Sequence, residues 1–280
     1  MSASEDDSLH WGSSYRLVAS EKWKAKSAAM GRDATNALVD YANPQPGMQV
    51  LDLASGTGEP AITLATRVGP SGRVTALDLT QDLLDIAAQR ARERGLTNLT
   101  TQVGDAQHLP FADNSFDLGT SRFGVMFFVD VVGALRELRR VLRPAARACF
   151  LAWGPIDQPY WASSMSVVHK HVGGPLLVPG GPDLFRFSSP GSLSAVLTEA
   201  GFHNVEEETR VVPWSWPGTA EEVWEQQQAV GMPFGPMLER VPKEQWPALH
   251  AEVVRTIQKL QQGDTIHFTA NLVFASGRKA

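Results

Sequence analysis

The stretch from Val50 to Ile62, VLDLASGTGEPAI, joins a hydrophobic run to small residues at Ala54, Gly56 and Gly58 and then to Pro60. A strand that enters a tight turn and continues into a helix has this pattern, with proline in the first helical turn. Small side chains there let a ligand touch the backbone. Gly56-x-Gly58-x-x-Ala61 fits the dinucleotide fingerprint, and Asp78 closes the next apolar run, where an acid can take a ribose diol. Asp52, two residues before Ala54, puts an anion into the same loop. Pyrophosphate wants N–H donors without a nearby anion, so Asp52 favours a ligand with a cationic portion. It acts either on that ligand directly or by bracing the loop through local backbone N–H groups.

A second block, GDAQHLPFADNSFD from Gly104 to Asp117, follows the third apolar run. An aspartate at a strand end can accept from an adenine amino group while the next backbone N–H donates to the ring, which assigns Asp105 and Ala106 to a base. A nicotinamide dehydrogenase has no need of this block. Nor is the tyrosine–lysine pair of one such class present, since Ser164 stands four residues after Tyr160.

Taken together, VLDLASGTGEPA, ALDLT and GDAQHLPFADNSFD, with SRFGVMFF and LRELRRVLRP beyond them, resemble a class I S-adenosylmethionine-dependent methyltransferase. The likeness runs from about residue 23 to 201 and is to the small-molecule type that includes the ubiquinone and menaquinone C-methyltransferases. It implies S-adenosylmethionine as cofactor. It also implies that Asp52, Ala54, Gly56, Thr57 and Gly58 surround the methionine portion and that Asp78 takes the ribose hydroxyls. Leu79 would flank the adenine, Asp105 and Ala106 would read its edge, and Ser121 and Phe123 would lie beneath the methionine end. One departure is Pro144-Ala145-Ala146 where the family usually has Pro-Gly-Gly. An altered turn is expected there, remote from the cofactor.

Methyl transfer is an in-line displacement at an activated carbon, so alignment of the reactants supplies much of the rate, about 7–11 kcal/mol. A general base is optional and no metal is required. The candidates for a base are His169, His171 and Tyr160, with His203, His108 and Asp157 behind them. The Asn/Asp-Pro-Pro-aromatic tetrad of amide and nucleobase methylation is replaced by Ser121-Arg122-Phe123-Gly124. Arg122 either binds an acidic substrate group or pairs with a structural carboxylate. Eight tryptophans are many for this length, and Trp23, Met126, Trp153 and Trp161, with Trp214, Phe234 and others, are candidates for an aromatic substrate wall.

These residues need a scaffold, and the hydrophobic pattern predicts one. Strands are expected at Gln49–Ala54, Arg73–Leu79, Leu99–Gly104, Phe116–Ser121, Arg147–Trp153, Asn204–Trp214 and Thr265–Ala275, alternating with helices over the first part. The expected fold is α/β, a doubly wound, mostly parallel seven-stranded sheet of Rossmann-like methyltransferase type with a helical insertion before the last strand. Tyr15–Tyr41 reads as a helix covering a sheet edge. A helix after Thr80 stops at Gly95, and the next carries Val131, Val132, Leu135, Leu138 and Leu142 inward before Pro144 ends it. Gly154–Phe187, rich in proline and glycine, is read as irregular. Residues 1–14 form a polar tail, and 15–280 make one domain, with a helical cap at 15–42, a core at 43–214 and 264–280, and the insertion at 215–263.

Composition narrows the partners. With 25 Lys+Arg against 30 Asp+Glu in 280 residues, there is no basic excess to hold nucleic acid. One cysteine forbids an internal disulfide and a multi-thiolate metal site. No signal sequence or membrane span is read, so a cytoplasmic protein acting on a small molecule, monomer or homodimer, is expected. A nicotinamide oxidoreductase and a non-catalytic S-adenosylmethionine-binding module are the competing readings.

Overall fold

The structure, a computed structural model, describes residues 24–177, 179–230 and 234–280. Helix α1 (Lys24–Ala42) leads into β1 (Gln49–Leu53), α2 (Ala61–Val68), β2 (Arg73–Asp78), α3 (Gln81–Glu93), β3 (Leu99–Val103), β4 (Phe116–Arg122), α4 (Val131–Val141) and β5 (Leu142–Trp153). Next come α5 (Pro159–Ala162), α6 (Met165–Val172), α7 (Ser192–Glu199) and β6 (His203–Pro217). The chain ends with α8 (Ala220–Val230), α9 (Gly235–Glu239), α10 (Trp246–Gln258), β7 (Gln261–Gln262) and β8 (Thr265–Arg278).

The sheet runs β3-β2-β1-β4-β5-β8-β6, with the two-residue β7 paired to β8 as an eighth strand beside the seven expected. Strands β1 to β5 are parallel, whereas β8 is antiparallel to both β5 and β6. Central strands of a parallel sheet are covered on both faces, and β1 accordingly reads QVLDL with four consecutive buried residues. Helix α4 buries Val131, Ala134, Leu135, Leu138 and Val141, and the Asp130 carboxylate caps it by accepting from the Gly133 N–H at 2.8 Å. Helix α1 packs across β4, β5 and the edge strand β6, burying Met30, Ala34 and Leu38. The part of its expected range upstream of Lys24 lies outside the described residues.

Two expectations are corrected. Helix α4 ends at Val141, and both Leu142 and Pro144 belong to β5. Leu142 continues the helical spacing of Leu138 and is equally buried, so periodicity alone does not separate them. The β4–β5 register jumps from Phe116↔Leu142 to Leu118↔Arg147, so Pro144 sits in a bulge where its missing N–H costs no β4 ladder bond. The second correction concerns Gly154–Phe187, which contains α5 and α6 and is not irregular throughout.

The insertion has a definite exit. Strand β6 pairs with β8 from His203↔Arg278 to Pro217↔Thr265, while β5 ends opposite Leu272. Seven residues of β8 therefore lie past the end of β5, roughly 23 Å at 3.3 Å per residue. Because β6 runs parallel to β5, this extension points beyond the C-terminal ends of the parallel strands. Helices α8, α9 and α10 fill the loop at its tip, and α9 and α10 pack against α6.

Candidate active site

The C-terminal ends of β1 and β2 build the glycine loop. Ala54, Gly56 and Gly58 have φ of 54°, 52° and 109°, a left-handed region natural for glycine but strained for Ala54. The two glycines differ in their surroundings. A Cβ on Gly58 would meet Ile62 Cδ1 at 2.7 Å and the Ala87 backbone at 3.2 Å, so this glycine lets α2 approach α3. A Cβ on Gly56 would meet nothing within 4 Å. Gly56 thus borders open space, as a ligand site requires. Asp78 spans the loop mouth: its Oδ2 accepts from the Gly56 N–H at 2.8 Å and its Oδ1 from the Thr80 N–H at 3.0 Å. Thr57 is tied sideways, its Oγ1 accepting from Arg90 at 2.6 Å.

Asp78 and Val103 are neighbours in the β2–β3 ladder, so the residues that follow them lie side by side. Leu79 is 54% exposed, an apolar side chain left uncovered at a strand end. Asp105 is held in a tight turn, its two oxygens accepting from the Gln107 N–H at 2.9 Å and the Gln107 side-chain amide at 3.0 Å. Ala106 is buried behind it.

Asp52 is wholly buried on β1. Its Oδ1 accepts from Thr120 Oγ1 at 2.7 Å, while Oδ2 has no partner among the described residues. Burial pushes its carboxyl up to about 7, against the hydrogen bonds from Thr120 and Ser55. Ser121 donates its hydroxyl to the Leu53 carbonyl at 2.9 Å, fastening the end of β4 to the end of β1. Contact there is so close that a Cβ on Gly124 would come within 2.5 Å of Ala54 Cβ. Phe123 itself has a φ of 58°, and its N–H donates to the Leu151 carbonyl at 2.8 Å. Two strained residues, Ala54 and Phe123, therefore flank one another's strands where a ligand would lie.

Behind Phe123 stands an aromatic wall. Its ring stacks on Trp153 at 4.7 Å, and Trp153 in turn meets Tyr160, Trp161 and Trp214 within 6.0 Å. Phe123 keeps partial exposure, whereas Met126, Trp153, Tyr160 and Trp161 are buried. Met126 Sδ accepts from the Trp153 N–H at 3.5 Å and so belongs to the wall's backing. Trp23 lies outside the described residues.

The proposed bases do not converge on this space. His169 and His171 ride on α6, with His169 Nε2 2.8 Å from the Gly174 carbonyl and His171 Nε2 2.8 Å from Glu252 of α10. Both are corrected to surface and inter-helix roles, because α6 turns its apolar face, Met165 and Val168, inward instead. The Tyr160 hydroxyl donates to Gln226 Oε1 at 3.1 Å, and burial raises it far above the usual phenol range, so it is a packing residue rather than a base. His108, Asp157 and His203 are exposed.

Sequence reasoning left the environment of Arg122 open. Its Nη1 donates to Thr35 Oγ1 at 3.0 Å and to the Gly31 carbonyl at 3.4 Å, both on α1, and its Cζ lies 5.7 Å from the Phe123 ring centroid. Burial lowers its basicity, opposed by the negative charges of Glu59 and Asp52. No signal along the chain pairs Arg122 with residues about ninety positions earlier. That pairing arises only because α1 crosses the sheet.

The model of the ubiE/COQ5 methyltransferase family matches residues 27–173. A ubiquinone/menaquinone biosynthesis C-methyltransferase from Dinoroseobacter shibae is 32% identical over 64% of this chain and 76% of its own length. Its counterpart from Cupriavidus pinatubonensis is 36% identical, but that alignment spans 46% of this chain and 55% of the enzyme. The nocamycin O-methyltransferase of Saccharothrix syringae is 26% identical over 88% of this chain and 91% of its own length. Among solved structures, the YcgJ protein of Bacillus subtilis shares the fold with a TM-score of 0.57 at 20% identity, over 88% of this chain and 97% of the other.

Proposed function

The chain belongs to the ubiE/COQ5 methyltransferase family and is an S-adenosylmethionine-dependent methyltransferase, and from that premise we propose that it methylates a small, apolar or aromatic organic acceptor. The residues fit the donor. Open space at Gly56, the uncovered Leu79 and the partnerless Asp52 Oδ2 lie along the C-terminal ends of the adjacent strands β1 and β2, and they suit a glycine-lined methionine, an adenine face and a cationic group respectively. In this reading Asp52, Ala54, Gly56, Thr57 and Gly58 surround the methionine portion and Asp78 takes the ribose diol. Leu79, Asp105 and Ala106 take the adenine, and Ser121 and Phe123 close the methionine end. Arg122 and Phe123 face the acceptor, with Met126, Trp153 and Trp161 as the wall behind them.

The single observation that carries the proposal is the Asp78 carboxylate held by Gly56 and Thr80 N–H groups beside open backbone. Two ribose hydroxyls on one carboxylate are charge-assisted bonds, so Asp78→Ala is expected to weaken binding by about 1.5–3 kcal/mol per bond lost. Titration calorimetry with S-adenosylmethionine, its demethylated product and NAD checks this. Tight NAD binding with no response to S-adenosylmethionine overturns it, and unchanged affinity in the Asp78 variant overturns the ribose assignment. The dehydrogenase reading finds no support, since Tyr160 is buried in the wall and turned to Gln226.

The insertion at 215–263 we assign to a cover over the acceptor. Its support is the β6–β8 extension, which carries the helices past the strand ends where the cofactor loop lies. Lys26 of α1 pairs with Glu222 of α8, joining the N-terminal helix to that cover.

A further inference from the structure

Among the described residues, Arg122 is a cation next to both the glycine loop's buried acid and the aromatic wall, and it has no ion pair there. Of the partners within reach, Thr35 offers a hydroxyl and Gly31 a carbonyl; no carboxylate lies within salt-bridge distance among the described residues. Its Nε is buried with no hydrogen-bond partner, and so is Nε1 of Trp161, which packs on Trp153 two rings along the wall. A buried donor without an acceptor is costly, and a guanidinium more so than a neutral group. Both groups call for oxygen. Arg122 nonetheless keeps partial exposure beside Phe123, so a ligand seated against the Phe123 face meets the guanidinium at once.

We infer that the acceptor binds as an oxyanion, a phenolate, enolate or carboxylate whose charge rests on Arg122 while its apolar body lies against Phe123. The inference rests on the methyltransferase reading and adds the charge of the acceptor to it. An ionised acceptor also explains a site onto which His169, His171 and Tyr160 do not converge. Its lone pair forms the new bond to the methyl carbon as the carbon–sulfur pair stays with sulfur, so the two opposite charges cancel and no proton has to move. Because the acceptor's charge diminishes on the way to the transition state, a guanidinium holds the ground state more strongly than the transition state. Arg122 therefore contributes to affinity and not to the chemical step.

The test uses the full-length enzyme saturated with S-adenosylhomocysteine and matched probes: 2-hydroxy-1,4-naphthoquinone, which is ionised at neutral pH, against 2-methoxy-1,4-naphthoquinone, and 1-naphthoate against its methyl ester. Binding is read by tryptophan fluorescence. At least one oxyanion is expected to bind tenfold or more tighter than its neutral partner. That preference should fall below twofold in Arg122→Met and survive in part in Arg122→Lys, with S-adenosylhomocysteine affinity unchanged in both. With a turned-over acceptor, Arg122→Met should raise KM and leave kcat within twofold. No preference for either oxyanion overturns the inference, as does an Arg122→Met protein that loses S-adenosylhomocysteine affinity instead, which would place the guanidinium on the cofactor's own carboxylate. Should Arg122→Met unfold, Thr35→Val, which removes only the neighbouring hydroxyl, is expected to retain the oxyanion preference; loss of it overturns the inference. A wild-type protein that binds no S-adenosylhomocysteine defeats the methyltransferase reading itself, a result separable from the others.

Discussion

In the proposed site, the donor end draws most of its groups from the ends of β1, β2 and β3, within residues 52–106, with Ser121 and Phe123 added from the end of β4. The proposed acceptor end gathers Gly31 and Thr35 from α1, Arg122 from the end of β4 and Phe123 just after it, Trp153 from β5, Trp161 from α5 and Trp214 from β6. At the first end, backbone N–H groups fix a carboxylate and a turn, so local spacing does most of the specifying. At the second, side chains about ninety residues apart meet only through the tertiary fold. Local recognition tolerates little change, whereas the assembled wall can alter without disturbing the donor loop.

The largest effect expected from this contrast is at Gly56. Valine there would fill the open space and would have to adopt a φ of 52°, so Gly56→Val should abolish measurable S-adenosylmethionine binding in calorimetry while the acceptor wall stays intact. Retained binding would break the comparison at its donor end. The cover at 215–263 provides the next test. Hydrogen exchange on adding S-adenosylhomocysteine together with an acceptor should slow by tenfold or more across α8 to α10. A dimer interface would be protected throughout, and an absence of ligand-dependent protection removes the cover from the acceptor side.

A smaller effect comes from Asp52. Its folded carboxyl titrates near 7 and its unfolded one at about 3.9, so the folded state binds the proton more tightly. The resulting stability is fully present below about pH 4 and is lost as pH rises through about 7. Asp52→Asn cannot titrate. Thermal melts of the ligand-free proteins should therefore show the wild type falling relative to Asp52→Asn between pH 5 and pH 8, and a pH-independent difference would refute the buried charge.

The smallest effect is at the Pro144-Ala145-Ala146 departure. Ala145 holds a φ of 63° and its N–H donates to the Lys279 carbonyl at 3.0 Å. The turn thus keeps a left-handed residue despite having alanine where glycine is usual. Ala145→Gly should stabilise the protein by about 1 kcal/mol, raising Tm by roughly 2–4 °C, with activity unchanged.

The same contrast accounts for what could be read from residues alone. Strands β1 to β4 appear within a residue of their expected ends, because each is a short extended run and the chemically marked residues Asp52, Asp78, Asp105 and Ser121 stand on or just past them. His169 and His171 show the opposite case. Their surroundings, Gly174 and Glu252, follow from which side α6 turns toward the cover, and periodicity carries no record of that. Arg122 was marked by its type and place after β4, yet its partners on α1 follow from a helix crossing the sheet. Leu142 and Pro144 were misplaced because a bulge suspends the usual penalty on proline in a strand.

The register of the long hairpin has a consequence for how this chain can be rebuilt. Pro217 and Thr265 face each other across one rung of the ladder, so the forty-seven residues between them begin and end a single strand spacing apart, about 4.8 Å. A tight two-residue turn bridges such a gap. The whole segment is in topological terms a detachable cassette: it can be excised or exchanged for a foreign one with only the two-residue β7 leaving with it, and none of the seven long strands added, removed or reversed. Trp216, Ile266 and Phe268, buried along its stem, mark where the exchange must preserve packing.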